Sequence, residues 1–214
     1  MPIKRFRPVF VGAIFAAVAV LAACGGTDTA SDPVSSEGSD GDGGLPVATS
    51  QVDFETCSGF LDAAQVAEAA GRDDVTFADR NSNSGPGEGP VTALCVIEYV
   101  TPDSGSGSGH ALTLLVVSFA TEGDAEAHYS TVLGEIRSMR EGINPDAQFS
   151  ENVLGSASYA VTLNDQGVGS VLGFFERDFV VQFNSTVPPG GQPLVSPEAM
   201  VPLARQVLAN LTGE

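Results

Sequence analysis

The sequence predicts an α+β domain in which two or three helices pack on an antiparallel β-sheet of about five strands. First, segments with the two-residue alternation of strands occur in pairs, and segments with the spacing of amphipathic helices separate these pairs. Second, strands and helices do not alternate as they do in parallel βαβ folds, so the paired strands are expected to be antiparallel. The chain is 43% apolar, which is enough for a substantial core.

The beginning of the chain has the pattern of a bacterial export signal. Lys4, Arg5 and Arg7 precede an uncharged apolar stretch over 9–23, which is shorter than the ~20 residues that span a bilayer. The stretch ends in the motif LAAC, which resembles the bacterial lipobox. We therefore expect a signal peptide over 1–23 and acyl chains on Cys24 that tie the protein to the membrane. A short transmembrane anchor, or a secreted protein in which this cysteine is incidental, are the alternatives.

Residues 24–51 are predicted to form a disordered tether, and residues 52–214 a single domain. The tether is rich in Gly, Ser and Asp and has almost no large apolar side chain, so it cannot offset the entropy of ordering. Beyond residue 23 the chain has 27 acidic and six basic residues, a formal charge of −21. This charge argues against nucleic-acid binding, which needs clustered Lys and Arg. It also leaves the acyl chains as the expected membrane attachment.

The three cysteines indicate an oxidising compartment. With Cys24 lipidated, Cys57 and Cys95 form an even pair in an exported protein, which predicts a disulfide between them. Two buried free thiols are the alternative. The number and spacing of the cysteines exclude a C-x-x-C redox motif and a cysteine zinc cluster.

The first helix is predicted within 60–70, where apolar side chains recur at helical spacing. Asp62 is its expected N-cap, and Gly71 stands where a helix ends. Residues 81–90 are expected to form a loop. Alternating apolar and polar residues over 91–100 then predict a half-buried strand.

The middle of the chain predicts a central strand and a long amphipathic helix. Residues 101–110 have the composition of a flexible loop, and the nearly continuous apolar run over 111–120 predicts a strand. Thr121 and Asp124 have the spacing of a capping box. The helix that they open is expected to end near 141–142.

The C-terminal part predicts an antiparallel meander and a last helix. The strands are expected at 157–163, 168–175 and 179–187. A Ser-Pro pair at 196–197 opens the helix. Pro202 is expected either to kink this helix or to fall near the start of its regular part, which would then begin nearer Val201.

Several segments together carry a family resemblance. They are the lipobox and tether, a helix after the first domain cysteine (CSGFLDAAQVAEAAG), a cysteine within a strand (ALCVIEYV), a strand–helix unit (VVSFATEGDAEAHYSTV) and a last helix with LARQVLANL. This arrangement resembles a family of actinobacterial cell-envelope lipoproteins of unknown function. In layout it is similar to the extracellular sensor domains of PknH-type receptor kinases and to LpqN-type lipoproteins. The resemblance implies that a groove on an α+β domain binds a ligand or partner, and it brings no catalytic residues.

The residues with catalytic potential form no recognised motif. The two histidines are His110 and His128, and no Gly-x-Ser-x-Gly or phosphate-binding glycine motif is present. His and Cys ligands are too few for an ordinary zinc site. We therefore expect that the protein is not an enzyme and that it holds no metal and no cofactor. An envelope hydrolase or transferase that uses a pair of carboxylates is the alternative.

The sequence thus predicts a monomeric, lipid-anchored module on the extracytoplasmic face of the cell membrane. It is expected to bind a small molecule, a lipid or an envelope protein, and a structural module that recruits a membrane partner is a further hypothesis. The candidates for a ligand groove are Phe174, Phe179, Tyr129 and His128. His128 lies one helical turn after Asp124, so a histidine–carboxylate pair is possible.

Overall fold

The computed structural model describes residues 52–84, 89–102, 110–143, 145, 147–154, 157–165, 168–187 and 191–213. The expected signal peptide, Cys24, the tether and most of the loop at 101–110 lie outside these residues. Within them the α+β class is confirmed, with three helices and one antiparallel sheet. That sheet has seven strands, so the expectation of about five was wrong.

The strands and helices follow the chain in a simple order. The strands are β1 (Thr76–Ser84), β2 (Val91–Val100), β3 (Ala111–Phe119), β4 (Phe149–Glu151), β5 (Ser158–Asp165), β6 (Val168–Glu176) and β7 (Phe179–Ser185). The helices are α1 (Ala63–Ala70), α2 (Glu122–Ile143) and α3 (Pro197–Thr212). All neighbouring strands are antiparallel, in the order β1-β2-β3-β7-β6-β5-β4. The apolar strands β3 and β7 therefore lie in the middle.

The two additional strands are the edges of the sheet. The side chains of β1 are exposed from Thr76 to Ser82, so no hydrophobic alternation marks this strand in the sequence. Its end also shows that the predicted loop at 81–90 was wrong for residues 81–84. The other edge, β4, has only three residues. Both strands are held by backbone hydrogen bonds to one neighbouring strand. The pattern of side chains in the sequence does not reveal such bonds.

Helices cover both faces of the sheet. α1 and α3 pack on one face, which we call the disulfide face, and its core includes Phe60, Ile97, Leu114 and Met200. α2 packs on the opposite face, called the α2 face, mainly against β3, β5, β6 and β7. The core on that face is built from α2 and strand side chains, including Ala125, Tyr129, Ile136, Val117, Val171 and Val180.

The ends of α1 follow from local sequence chemistry. The Asp62 N–H donates to the Gln65 side-chain oxygen at 2.8 Å, one half of a capping box. Gly71 has a left-handed φ of 64°, and its N–H donates to the Glu68 carbonyl at 3.1 Å. The next N–H, from Arg72, donates back to Ala67 at 3.0 Å, so the helix ends in a Schellman motif.

The other two helices also begin at their predicted caps. The Thr121 hydroxyl accepts a hydrogen bond from the Asp124 N–H at 3.2 Å and contacts the Asp124 carboxylate at 2.6 Å. At α3 the Ser196 hydroxyl accepts from the Ala199 N–H at 3.3 Å. This helix begins at Pro197 and continues through Pro202, so the alternative in which its regular part begins nearer Val201 was wrong. The exposed proline has no N–H to donate to the carbonyl four residues earlier, which costs the helix one hydrogen bond.

Candidate functional site

A disulfide joins the segment before α1 to the second strand. Cys57 lies in a turn that is closed by two backbone hydrogen bonds between Asp53 and Ser58, at 2.9 and 3.0 Å. Its partner is Cys95 in β2, and both side chains are buried. The bridge therefore fixes the start of the described chain to the sheet, as the cysteine count predicted.

The four candidates for a ligand groove lie on opposite faces of the sheet. Phe174 in β6 is buried in the core of the disulfide face, where Phe179 of β7 stacks on Phe54 with ring centroids 6.0 Å apart. Tyr129 and His128 belong to α2, on the other side. The structure does not bring these four side chains together.

Tyr129 belongs to an aromatic cluster on the α2 face. Its ring lies 5.9 Å from Tyr159 and 6.0 Å from Phe175, and Phe149 stacks on Tyr159 at 6.3 Å. Burial raises the pKa of Tyr129 to about 12 and the pKa of Tyr159 still further above its usual value. Both phenols are therefore neutral at physiological pH and contribute to packing.

His128 is half-buried against the end of β3. Its ring centroid lies 5.1 Å from that of Phe119. Desolvation lowers the pKa of His128, while the charge of Glu135 acts in the opposite direction. The imidazole is therefore mainly neutral at pH 7. The hydrogen bonds described for Asp124 go to Thr121, the N-cap, rather than to this histidine.

A cavity of about 220 Å³ opens at the end of the sheet where β6 turns into β7. We call it the hairpin cavity. Its apolar wall consists of Leu154, Ala157, Phe174, Phe175 and Leu208, and its polar groups belong to Glu122, Ser158, Glu176 and Arg177. One groove candidate, Phe174, therefore lines it.

Several elements meet at the hairpin cavity. Phe174 and Phe175 are consecutive in β6 and point to opposite faces, so the cavity lies where the two faces meet at the end of the sheet. Leu208 comes from α3 on the disulfide face, and Glu122 is the first residue of α2 on the other. Arg177 has a φ of 53° in the two-residue turn between β6 and β7. Such turns need left-handed residues to match the twist of the strands.

Two hydrogen bonds donated by backbone N–H groups hold the wall of the cavity. The Phe175 N–H donates to the Ala157 carbonyl at 3.0 Å, and the Leu154 N–H donates to the Ser158 hydroxyl at 2.8 Å. These contacts place the segment before β5 beside the hairpin. The site was not visible in the sequence, because its residues come from four segments that only the tertiary fold brings together.

A second cavity, of about 160 Å³, lies between the start of α3 and the β4–β5 edge. Its lining is formed by Gln148, Ser150, Val153, Ala160, Val161, Thr162, Pro197, Glu198 and Val201. It contains none of the predicted groove residues and one ionisable group, Glu198. The hairpin cavity therefore offers the richer combination of apolar and charged groups.

The described residues limit the chemistry of these sites. No group of three or more His, Cys, Asp or Glu side chains in this part of the chain is placed to hold a metal ion. Both cavities are smaller than the ~300–1,000 Å³ of typical ligand pockets. The hairpin cavity can receive one apolar side chain or a small amphiphile.

Comparisons with known proteins found similarity to solved structures only at the level of the fold. No protein-family model matches the chain, and no curated protein matches it. The crystal structure of the extracellular domain of PknH from Mycobacterium tuberculosis is similar, with a TM-score of 0.49 and 13% sequence identity. The alignment covers 77% of this chain and 98% of that domain. We draw no functional conclusion from a likeness of this degree, and the lipoprotein family stays a prediction.

None of the helices described here has the length and apolar character needed to cross a bilayer.

Proposed function

We propose that the protein is a lipid-anchored binding module on the extracytoplasmic face of the cell membrane. The Cys57–Cys95 disulfide supports an exported location, because disulfides persist mainly in oxidising compartments. The basic and apolar pattern before Cys24 supports cleavage and lipidation at this cysteine. Two or three acyl chains would give the stable attachment that one chain does not.

The hairpin cavity is the proposed binding site, and its mixed lining is the observation that carries the proposal. Phe174 and Leu208 provide an apolar wall, while Glu122, Glu176 and Arg177 provide charged groups at the same cavity. Such a lining suits a short apolar group joined to a polar or charged end. The ligand class is therefore a small amphiphile, or one side chain of an envelope protein.

A hydrolase or transferase is the alternative that the same cavity raises, since Glu122 and Glu176 both line it. Acid–base catalysis by two carboxylates requires a substrate held between them at a defined separation. The hairpin cavity is open and small, which favours the binding of a single group over the enclosure of a glycosidic substrate. We therefore propose binding rather than catalysis.

The proposal is tested by filling the cavity. Leu208→Trp adds a large side chain at its apolar wall, and Gln206→Trp adds the same side chain at an exposed position of α3. The full chain is purified from the membranes of its native host and analysed by native mass spectrometry. We expect a bound mass on the wild type and on Gln206→Trp, and none on Leu208→Trp.

A second variant separates loss of the site from loss of the fold. Arg177→Gly removes the charge while glycine readily adopts the left-handed conformation of this turn. We expect less bound ligand with unchanged thermal unfolding. Retention of the bound mass by Leu208→Trp, or absence of any bound mass from the wild type, contradicts the proposal.

A further inference from the structure

Among the described helices, none packs mainly on the α2 face at the β1 end of the sheet. β2 alternates between buried residues, which face α1 and α3, and half-buried residues on the α2 face. α2 packs mainly on β3, β5, β6 and β7, so it does not extend over the far part of β2. We call this region the open face, and it consists of Asp79, Val96, Glu98, Val100, Ala111, Thr113 and Leu115.

Two carboxylates lie directly opposite each other on the open face. The register pairs Asp79 of β1 with Glu98 of β2, and Glu98 with Thr113 of β3. Side chains that are paired in this way share a face, with Cβ atoms about 4.5–5.5 Å apart, and like charges destabilise the pair. The nearest cation in sequence, Arg80, is in register with Ile97 and lies 4.1 Å over the ring of Phe77 instead.

Apolar side chains flank this acidic pair on both sides. Val96 is in register with Leu115 on one side, and Val100 with Ala111 on the other. All four are half-buried, and Leu115 also packs against the core of the α2 face, so it forms the border of the open face. On the β1 side Asn81 is in register with Val96, and its amide donates to the Asp79 carboxylate at 3.5 Å, so that side is polar. The surface therefore combines two negative charges with apolar side chains on β2 and β3.

We propose that the open face docks a basic, amphipathic segment of a partner protein. A Lys or Arg of that segment lies between Asp79 and Glu98 and relieves their repulsion, and its apolar side chains pack on Val96 and Leu115. Charge complementarity identifies the occupant, because the 27 acidic residues of the chain greatly exceed the nine basic ones. An anionic lipid surface is excluded by the same charges. This surface is independent of the hairpin cavity.

The test measures the binding of a fluorescein-labelled peptide of alternating lysine and leucine to the full chain by anisotropy at physiological salt. The double variant Asp79→Asn/Glu98→Gln removes the acidic pair. The matched control, Glu126→Gln/Glu141→Gln, removes two charges from exposed positions of α2. We expect the first to raise Kd by about ten-fold and the control by less than about two-fold.

Two further measurements test the apolar part of the surface. Val96→Thr keeps the shape and strand preference of valine, and we expect it to raise Kd by about two- to three-fold. Val91→Thr, in the same strand but outside the open face, is expected to leave Kd unchanged. Equal weakening by both double variants would show long-range attraction and overturn the proposal. Equal binding of a peptide with serine in place of leucine would overturn it as well.

Discussion

At the scale of single residues, the packing of Tyr159 explains why glycine occupies position 173. The two residues are in register on β5 and β6, and the tyrosine ring lies across the glycine. A Cβ atom at position 173 would lie 2.5 Å from the ring Cζ and 2.6 Å from the hydroxyl oxygen. The ring is almost fully buried, so it has no free space to move into.

Gly173→Ala is therefore expected to destabilise the protein. The added methyl group forces the Tyr159 ring or the backbone to shift, and overpacking of this kind typically costs about 1–3 kcal/mol. Urea unfolding of the full chain measures the change in the free energy of unfolding.

The matched control is Gly134→Ala in α2. A Cβ atom there meets no atom within 4 Å, and the position is exposed in the middle of a helix. Alanine should stabilise this helix by about 0.5–1 kcal/mol relative to glycine. A Gly173→Ala variant as stable as the wild type would contradict the packing described for Tyr159.

Residue-scale prediction from the sequence succeeded where chemistry is local. The even number of domain cysteines indicated the disulfide, and Asp62, Thr121 and Ser196 were recognised as caps from their neighbours. The contact between Tyr159 and Gly173 was not predictable, because it depends on the register between two strands.

At the scale of elements, amphipathic segments were predictable and edge strands were not. β2 buries alternate side chains, which produces the period of two in its sequence. β3 is buried on both faces towards its end, which produces its nearly continuous apolar run. β1 buries none of its described side chains from Thr76 to Ser82, and β4 is only three residues long. Both exist because their backbones pair with β2 and β5.

The disulfide links the turn before α1 covalently to β2, and the removal of this bond has a predictable cost in stability. Cys57 and Cys95 are separated by 38 residues. For a loop of this length the chain-entropy model predicts a stabilisation of about 4 kcal/mol. Urea unfolding should show a loss of that order for the double variant Cys57→Ala/Cys95→Ala.

Cys24→Ala provides the control for the disulfide variant, since it removes a cysteine that lies outside the described domain. We expect its free energy of unfolding to equal that of the wild type. A loss below about 1 kcal/mol for the double variant would contradict a stabilising role of the bridge.

At the scale of the whole molecule, the sequence predicted the α+β class but not the strand order or the cavities. Segment pairing indicated antiparallel strands, yet the position of β7 beside β3 follows from long-range packing. The hairpin cavity similarly joins Glu122, Leu154, Phe174 and Leu208, which lie far apart in the chain. No local pattern specifies their proximity.

For the whole molecule we propose that an oxidised domain is attached to the membrane through Cys24. The most direct test is the intact mass of the protein extracted from the membranes of its native host, measured before and after reduction. We expect the mass of residues 24–214 plus a diacylglyceryl group and any N-terminal acyl chain, with a gain of two hydrogens on reduction of the Cys57–Cys95 bridge. The mass of an uncleaved chain without acyl groups, or no change on reduction, would contradict it.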